Sequence, residues 1–134
     1  MSSPQESAPE GKRTRTALGL ATLLGGSGML HFARPGPFDK IVPKALPGPA
    51  RRWTQLSGVA EIVIAVALAV PKTRRLGGLL AAWLFIAVFP ANVQMAVDYQ
   101  RAGKPLPARL AAFGRLPLQI PLIRSAFRVR NSGA

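Results

Sequence analysis

The groups in this chain that could do chemistry from within apolar sequence are few and scattered: Glu61, the single histidine His31, Asn92, Arg115 and Gln119. A carboxylate, a guanidinium, an imidazole and two amides, gathered in one place, could hold a polar or amphipathic small molecule by hydrogen bonds and charge. No cysteine is present, which excludes a thiolate nucleophile, a disulfide framework and a Cys-based zinc or iron–sulfur site. One histidine without a second His or a Cys beside it does not make a metal site, so none is expected. No group is assigned as catalytic, and an autonomous enzyme is not expected.

The elements that must position these groups are apolar. Of 134 residues, 49% are hydrophobic and 17% charged, yet Lys and Arg outnumber Asp and Glu by 18 to 5, for a net charge of +13. A nucleic-acid module gathers its basic residues on one face, whereas here they stand between long apolar runs, as membrane flanks do. Lipid rather than nucleic acid is therefore the expected partner.

Residues 1–15 read as a disordered basic tail, because MSSPQESAPEGK mixes Ser, Pro, Glu and Gly without apolar periodicity. From Thr16 to Ala33 no residue is charged. The tail ahead of this run is long for a signal peptide, no small-residue cleavage site follows it, and three more apolar segments lie downstream, so it reads as a first transmembrane helix. Helices are expected over about 16–33, 53–70, 76–97 and 110–127, forming one membrane domain over 16–127, with 128–134 a short basic tail. The stretch 76–97 is the clearest span. The segment 110–127 is the weakest, since Arg115, Arg124, Pro117 and Pro121 interrupt it.

Between the first two helices Pro35, Pro37, Pro43, Pro47 and Pro49 forbid a long helix. Phe38, Ile41, Val42, Ala45 and Leu46 nonetheless recur at helical spacing, so a short interfacial helix starting near Pro37 and an irregular loop capping the bundle mouth both remain open. The expected fold is thus all-α: a four-helix transmembrane bundle with a Pro-rich interfacial loop between helices 1 and 2. Basic residues divide 9 and 9 between the two sides, and cytoplasmic termini are expected because the flank of the first helix usually dominates.

Depth gathers the scattered polar groups. Glu61 is eight residues from Trp53, about 12 Å inside the face that carries the Pro-rich loop, and Asn92 is seventeen from Arg75, about 25 Å from the opposite face. His31 ends the first helix on the loop side, and Arg115 and Gln119 begin the fourth there at i, i+4. A charge in lipid must find a partner, which predicts an ion pair between Glu61 and Arg115. Such a pair could set helix register alone or anchor a ligand. Asn92 and Gln119 could bond across helices or to a guest. Gly25, Gly26, Gly28, Gly58, Gly77 and Gly78 read as close helix packing, and Trp53, Trp83 and Tyr99 as core or interface aromatics.

The run GMLHFARPGPFDKIVPKALPGP, followed by SGVAEI, PKTRR, FPANVQMA and RLPLQIPL, resembles the DoxX family of small bacterial membrane proteins over about residues 19–126. The resemblance implies a four-helix bundle in the bacterial cytoplasmic (inner) membrane. It marks His31, Phe32 and Pro35; Ser57, Gly58 and Glu61; Pro90, Ala91 and Asn92; and Arg115, Leu116, Pro117 and Gln119. It further implies a membrane subunit of a redox-associated complex, partnered by membrane or peripheral redox proteins or by further copies of itself, with a quinone or similar amphipathic molecule in the polar pocket. Without cysteines the chain would do no dithiol chemistry of its own. A non-catalytic scaffold or assembly factor is the alternative, and a transporter a more distant third.

Overall fold

The computed structural model describes residues 4–131, with the side-chain surroundings of the first helix described from Gly11 onward. Five α-helices follow one another: α1 (Pro4–Ala33), α2 (Pro35–Asp39), α3 (Ala50–Ala69), α4 (Arg74–Arg101) and α5 (Leu106–Arg130). No strand occurs among the described residues. Three segments, Gly11–Ala33, Ala50–Ala69 and Pro71–Arg101, are long and apolar enough to cross a membrane. Helix α5 has 25 residues, about 37 Å at 1.5 Å per residue, and so suffices in length. It is not apolar enough, because Arg109, Arg115, Arg124, Arg128 and Arg130 all lie on it.

All four long helices outrun their expected bounds. Residues 4–15, expected as a tail, belong to α1, and α5 continues into the expected C-terminal tail as far as Arg130. Extending a formed helix adds one hydrogen bond per residue fixed, far cheaper than starting one, so polar flanks join the apolar helices beside them. Residues 1–3 and 132–134 lie outside the described residues.

Small residues let the helices meet. A Cβ at Gly28 would lie 2.9 Å from the Gly58 carbonyl oxygen, and a Cβ at Gly58 2.9 Å from His31 Cβ, so α1 and α3 touch backbone to backbone. Gly77 sits equally close to the backbone at Leu68, and Gly78 to that at Arg130, which fastens α3 to α4 and α4 to α5. Gly26, by contrast, has nothing within 4 Å and is not a packing residue. The main core comprises Ala17, Leu20 and Leu24, Ile64, Ala65 and Leu68, Ala81, Ala82 and Phe85, and Ala126 and Val129. Five of these eleven are alanine, as expected where attraction comes from close van der Waals contact rather than from burying bulk away from water.

Large apolar side chains face outward: Trp83 is 60% exposed, Leu118 60%, Ile120 58% and Val66 58%. Water would penalise so broad an apolar exterior, whereas lipid would not. With the three long apolar helices, this describes a membrane protein.

Two connections orient the ends. After α3, Pro71 opens a single 3₁₀ turn, and Thr73 and Arg74 donate hydrogen bonds to the otherwise unpaired carbonyls of Ala67 (2.8 Å), Leu68 (2.9 Å) and Ala69 (3.0 Å). Helix α4 ends on Gly103, whose φ of 62° is the left-handed conformation glycine adopts most readily. There the Lys104 amide reaches back to the Tyr99 carbonyl at 3.1 Å. The main core thus lies toward the α3–α4 turn, and the opposite half, under the Pro-rich segment, is less densely filled.

The Pro-rich segment does not form the amphipathic helix of Phe38–Leu46. Its helix comes earlier and is one turn long, α2, with Pro35 at its start. Successive prolines then break the chain into turns, and Ile41, Val42, Pro43 and Leu46 descend onto the mouth between the long helices. The capping-loop alternative describes the geometry.

Candidate functional site

The less densely filled half holds a cleft of about 300 Å³. Ser27 and His31 line it from α1; Thr54, Ser57 and Glu61 from α3; Ala87, Val88, Ala91 and Asn92 from α4; and Arg115 from α5. Phe38 and the Pro-rich turns form its roof, so all five helices contribute.

Four of the five polar residues expected to converge do line this space. The fifth, Gln119, lies behind it, buried at 5% exposure. There its Nε2 donates to the Phe85 carbonyl at 2.7 Å, and its Oε1 accepts from Asn92 Nδ2 at 3.3 Å. The bond ties α5 to α4 in the turn before Pro90; the carbonyl that Pro90 leaves without its helical donor is that of Ile86, one residue further on.

The ion pair between Glu61 and Arg115 does not form. Glu61 turns to α1, with Oε2 3.1 Å from His31 Nδ1 and Oε1 accepting a hydrogen bond from Ser27 Oγ at 3.3 Å. The Gly28–Gly58 contact brings α3 against α1, whereas Arg115 comes from the far side of the cleft, where it donates to Met95 Sδ at 4.0 Å. Depth arithmetic predicts how far into the membrane a residue lies but not which neighbour its helix faces.

His31 Nδ1 also lies 2.7 Å from the Ser27 carbonyl oxygen. A carbonyl can only accept, so Nδ1 carries a proton that points there. The contact with Glu61 is therefore one of proximity rather than a hydrogen bond, and Glu61 Oε2, although buried, has no hydrogen-bonding partner among the described residues. Phe38 stacks on the imidazole with ring centroids 3.8 Å apart and planes 21° from parallel, pinning the ring beneath the roof.

The roof is itself tied down. Asp39 accepts from Thr54 Oγ1 at 2.6 Å and from Arg51 Nε at 2.8 Å, and Trp53 Nε1 donates to the Pro47 carbonyl at 2.7 Å. The Thr54 hydroxyl does most to hold the Asp39 carboxyl below its ordinary pKa; burial pushes the other way, and the Arg51 guanidinium adds to the lowering. Ser27, Asp39 and Thr54 were not among the expected site residues. Part of the signal was present, since Thr54, Ser57 and Glu61 form a polar stripe at i, i+3, i+7 and Ser27 and His31 stand at i, i+4. For Asp39, twelve residues from Arg51 across a proline-broken loop, no local spacing exists.

The supporting positions sort by place. Ser57 and Ala91 line the cleft, and Gly58 and Phe32 form the α1–α3 seam, where a Cβ at Gly58 would meet the Phe32 ring at 2.8 Å. Leu116 packs with Met95, Ala96 and Ala112 beneath Ile41 and Tyr99, and Pro117 lies within α5. No group of three or more His, Cys, Asp or Glu residues suited to a metal ion occurs among the described residues.

A family model described as a domain of unknown function, DUF8561, matches residues 20–130. The chain belongs to the DUF8561 family. The DUF8561 match starts inside α1 and runs through Arg130 of α5, so it takes in every residue lining the cleft. No curated protein and no solved structure matches the chain.

Proposed function

We propose that this protein crosses the bacterial cytoplasmic membrane four times, with cytoplasmic termini, and binds a small amphipathic molecule in the cleft beneath the Pro-rich roof. A quinone or quinol is the best fit. In this reading it serves as a DoxX-like membrane subunit of a redox-associated complex. The observation that carries the ligand reading is Glu61 Oε2, buried and without a hydrogen-bonding partner at the edge of a cleft that also holds Asn92 and Arg115. An unsatisfied buried acceptor costs about 1–3 kcal/mol, and a guest hydroxyl would relieve it. Asn92 and Arg115 would donate to a carbonyl at the other end of the guest, while Val88, Ala91, Ile41 and Leu46 would cover its ring. At about 300 Å³ the cleft admits a head group rather than a whole isoprenoid molecule, whose tail would leave between the helices into lipid.

Helix α5 crosses as the fourth span because α4 lies against it along its length, covering backbone and polar groups that its prolines and Gln119 would otherwise expose. Single cysteines at Lys40 and Lys104 should label from one side of the membrane and one at Thr73 from the other. For the ligand, wild-type protein in mild detergent should melt at a higher temperature with a short-chain ubiquinone or naphthoquinone analogue present, and Glu61→Gln and Asn92→Leu should reduce that rise. If neither analogue binds and no small molecule copurifies in stoichiometric amount, the scaffold reading takes its place.

A further inference from the structure

At the end opposite the cleft, a second cavity of about 270 Å³ lies between the start of the apolar part of α1 and the end of α5. Lys12, Arg13 and Thr16 line it from one helix, Arg128 and Val129 from the other, and Asn131 just beyond. Three neighbouring cations are already engaged. Arg74 holds the Leu68 and Ala69 carbonyls, Arg75 donates to the Arg130 carbonyl at 3.1 Å, and Arg130 reaches Asn131 Oδ1 at 3.3 Å.

Among the described residues the side chains of Lys12, Arg13 and Arg128 have no such partner, and no carboxylate lies within 4.0 Å of them. Three of the five acids, Asp39, Glu61 and Asp98, belong to the other half of the molecule. Three like charges sharing one cavity repel one another and are stabilised by a multivalent or diffuse anion between them.

We propose that this cavity binds the phosphate of an anionic phospholipid, with Lys12, Arg13 and Arg128 surrounding it. The place favours a lipid over a soluble phosphate. Helix α1 runs from here into apolar sequence, and Leu23, seven residues after Thr16 and so on the same face, is 48% exposed, giving an acyl chain a surface to follow. Arg128 and the α1 cations would then clamp the two helices that close the fold, which otherwise touch over a short stretch. The site rests on the membrane reading of α1 and α5 but not on a ligand in the cleft.

The test uses the full chain, purified in neutral detergent and titrated with phosphatidylglycerol, phosphatidylcholine or inorganic phosphate. Retained lipid is counted by native mass spectrometry, and melting temperature is followed in parallel. Each basic residue near an anionic lipid contributes roughly fivefold in affinity, so Lys12→Gln/Arg13→Gln/Arg128→Gln should weaken phosphatidylglycerol binding on the order of a hundredfold at low salt. Lys40→Gln/Lys44→Gln/Arg52→Gln removes the same charge from the other end and should leave binding within a few-fold of wild type. Arg128→Gln alone, expected to lose roughly fivefold, provides the reading if the triple variant fails to fold.

Equal losses in both triple variants would overturn the site in favour of diffuse attraction. Inorganic phosphate that displaces the lipid at equal concentration would overturn the lipid as its source. Extraction of the wild-type protein from membranes by alkaline carbonate would instead remove the membrane reading itself, a result distinct from either.

Discussion

The Gly28–Gly58 seam places the polar side chains of the cleft, and Gly28→Ala tests how tightly. The new Cβ would stand 2.8 Å from Ile62 Cγ1, 2.9 Å from the Gly58 carbonyl oxygen and 3.2 Å from Glu61 Cβ. Ile62 can rotate away, but the Gly58 carbonyl belongs to the α3 backbone and cannot. Restoring an ordinary contact near 3.5 Å requires α1 and α3 to part by about 0.6 Å. If that shift is transmitted to the side chains, the Ser27–Glu61 hydrogen bond, now 3.3 Å, stretches beyond hydrogen-bonding length.

Overpacking of this kind costs about 1–3 kcal/mol, while alanine gains up to about 1 kcal/mol over glycine in helix propensity. Gly26→Ala on the same helix gains the propensity with nothing within 4 Å to strike, so the difference between the two variants isolates the packing cost. Thermal unfolding in mild detergent, followed by circular dichroism, should place Gly28→Ala below Gly26→Ala by the equivalent of about 1–3 kcal/mol. The result that refutes the reasoning is a Gly28→Ala protein that melts at or above Gly26→Ala.

Three further outcomes follow from the same geometry. In a double-mutant cycle read by unfolding, His31→Ala and Glu61→Ala should show a coupling of about 0.5–3 kcal/mol, while Glu61→Ala and Arg115→Ala should be nearly additive; the reverse ranking would restore the pair inferred from depth. Gln119→Leu should destabilise the fold by about 1–3 kcal/mol, because the hydrogen bonds to the Phe85 carbonyl and from Asn92 that join α5 to α4 are lost, and a melting temperature unchanged from wild type would exclude that role. Asp39, with its carboxyl pKa lowered in the fold, contributes stability that is complete above the unfolded value near 3.9 and is lost as pH falls through the folded value. Melting temperature should therefore fall on acidification below about pH 4 in wild type, and the drop should be smaller in Asp39→Asn.

Some of this organisation follows from the chain order of residue types. Long uncharged runs can satisfy their backbone in lipid only as helices, so an all-helical membrane protein could be read from composition and length. The rise per residue then placed His31, Glu61, Asn92 and Arg115 at one level, because depth along a straight helix is arithmetic. Rotation and neighbourhood are not. Which helix Glu61 faces depends on the Gly28–Gly58 contact, a long-range packing choice that turns it toward His31 and away from Arg115.

Gln119 shares the level of the pocket but turns to the Phe85 carbonyl and Asn92 of α4, partners that come within reach only where two helices meet. The roof is likewise a tertiary product. Prolines exclude a long helix from the sequence alone, yet it is Asp39 meeting Thr54 and Arg51, and Phe38 stacking on His31, that decide where the broken chain settles. Sequence determines what a segment can be, since local sterics and solvation act within a few residues. Contacts between residues far apart in the chain decide what it touches, because each depends on the position of every other helix at once.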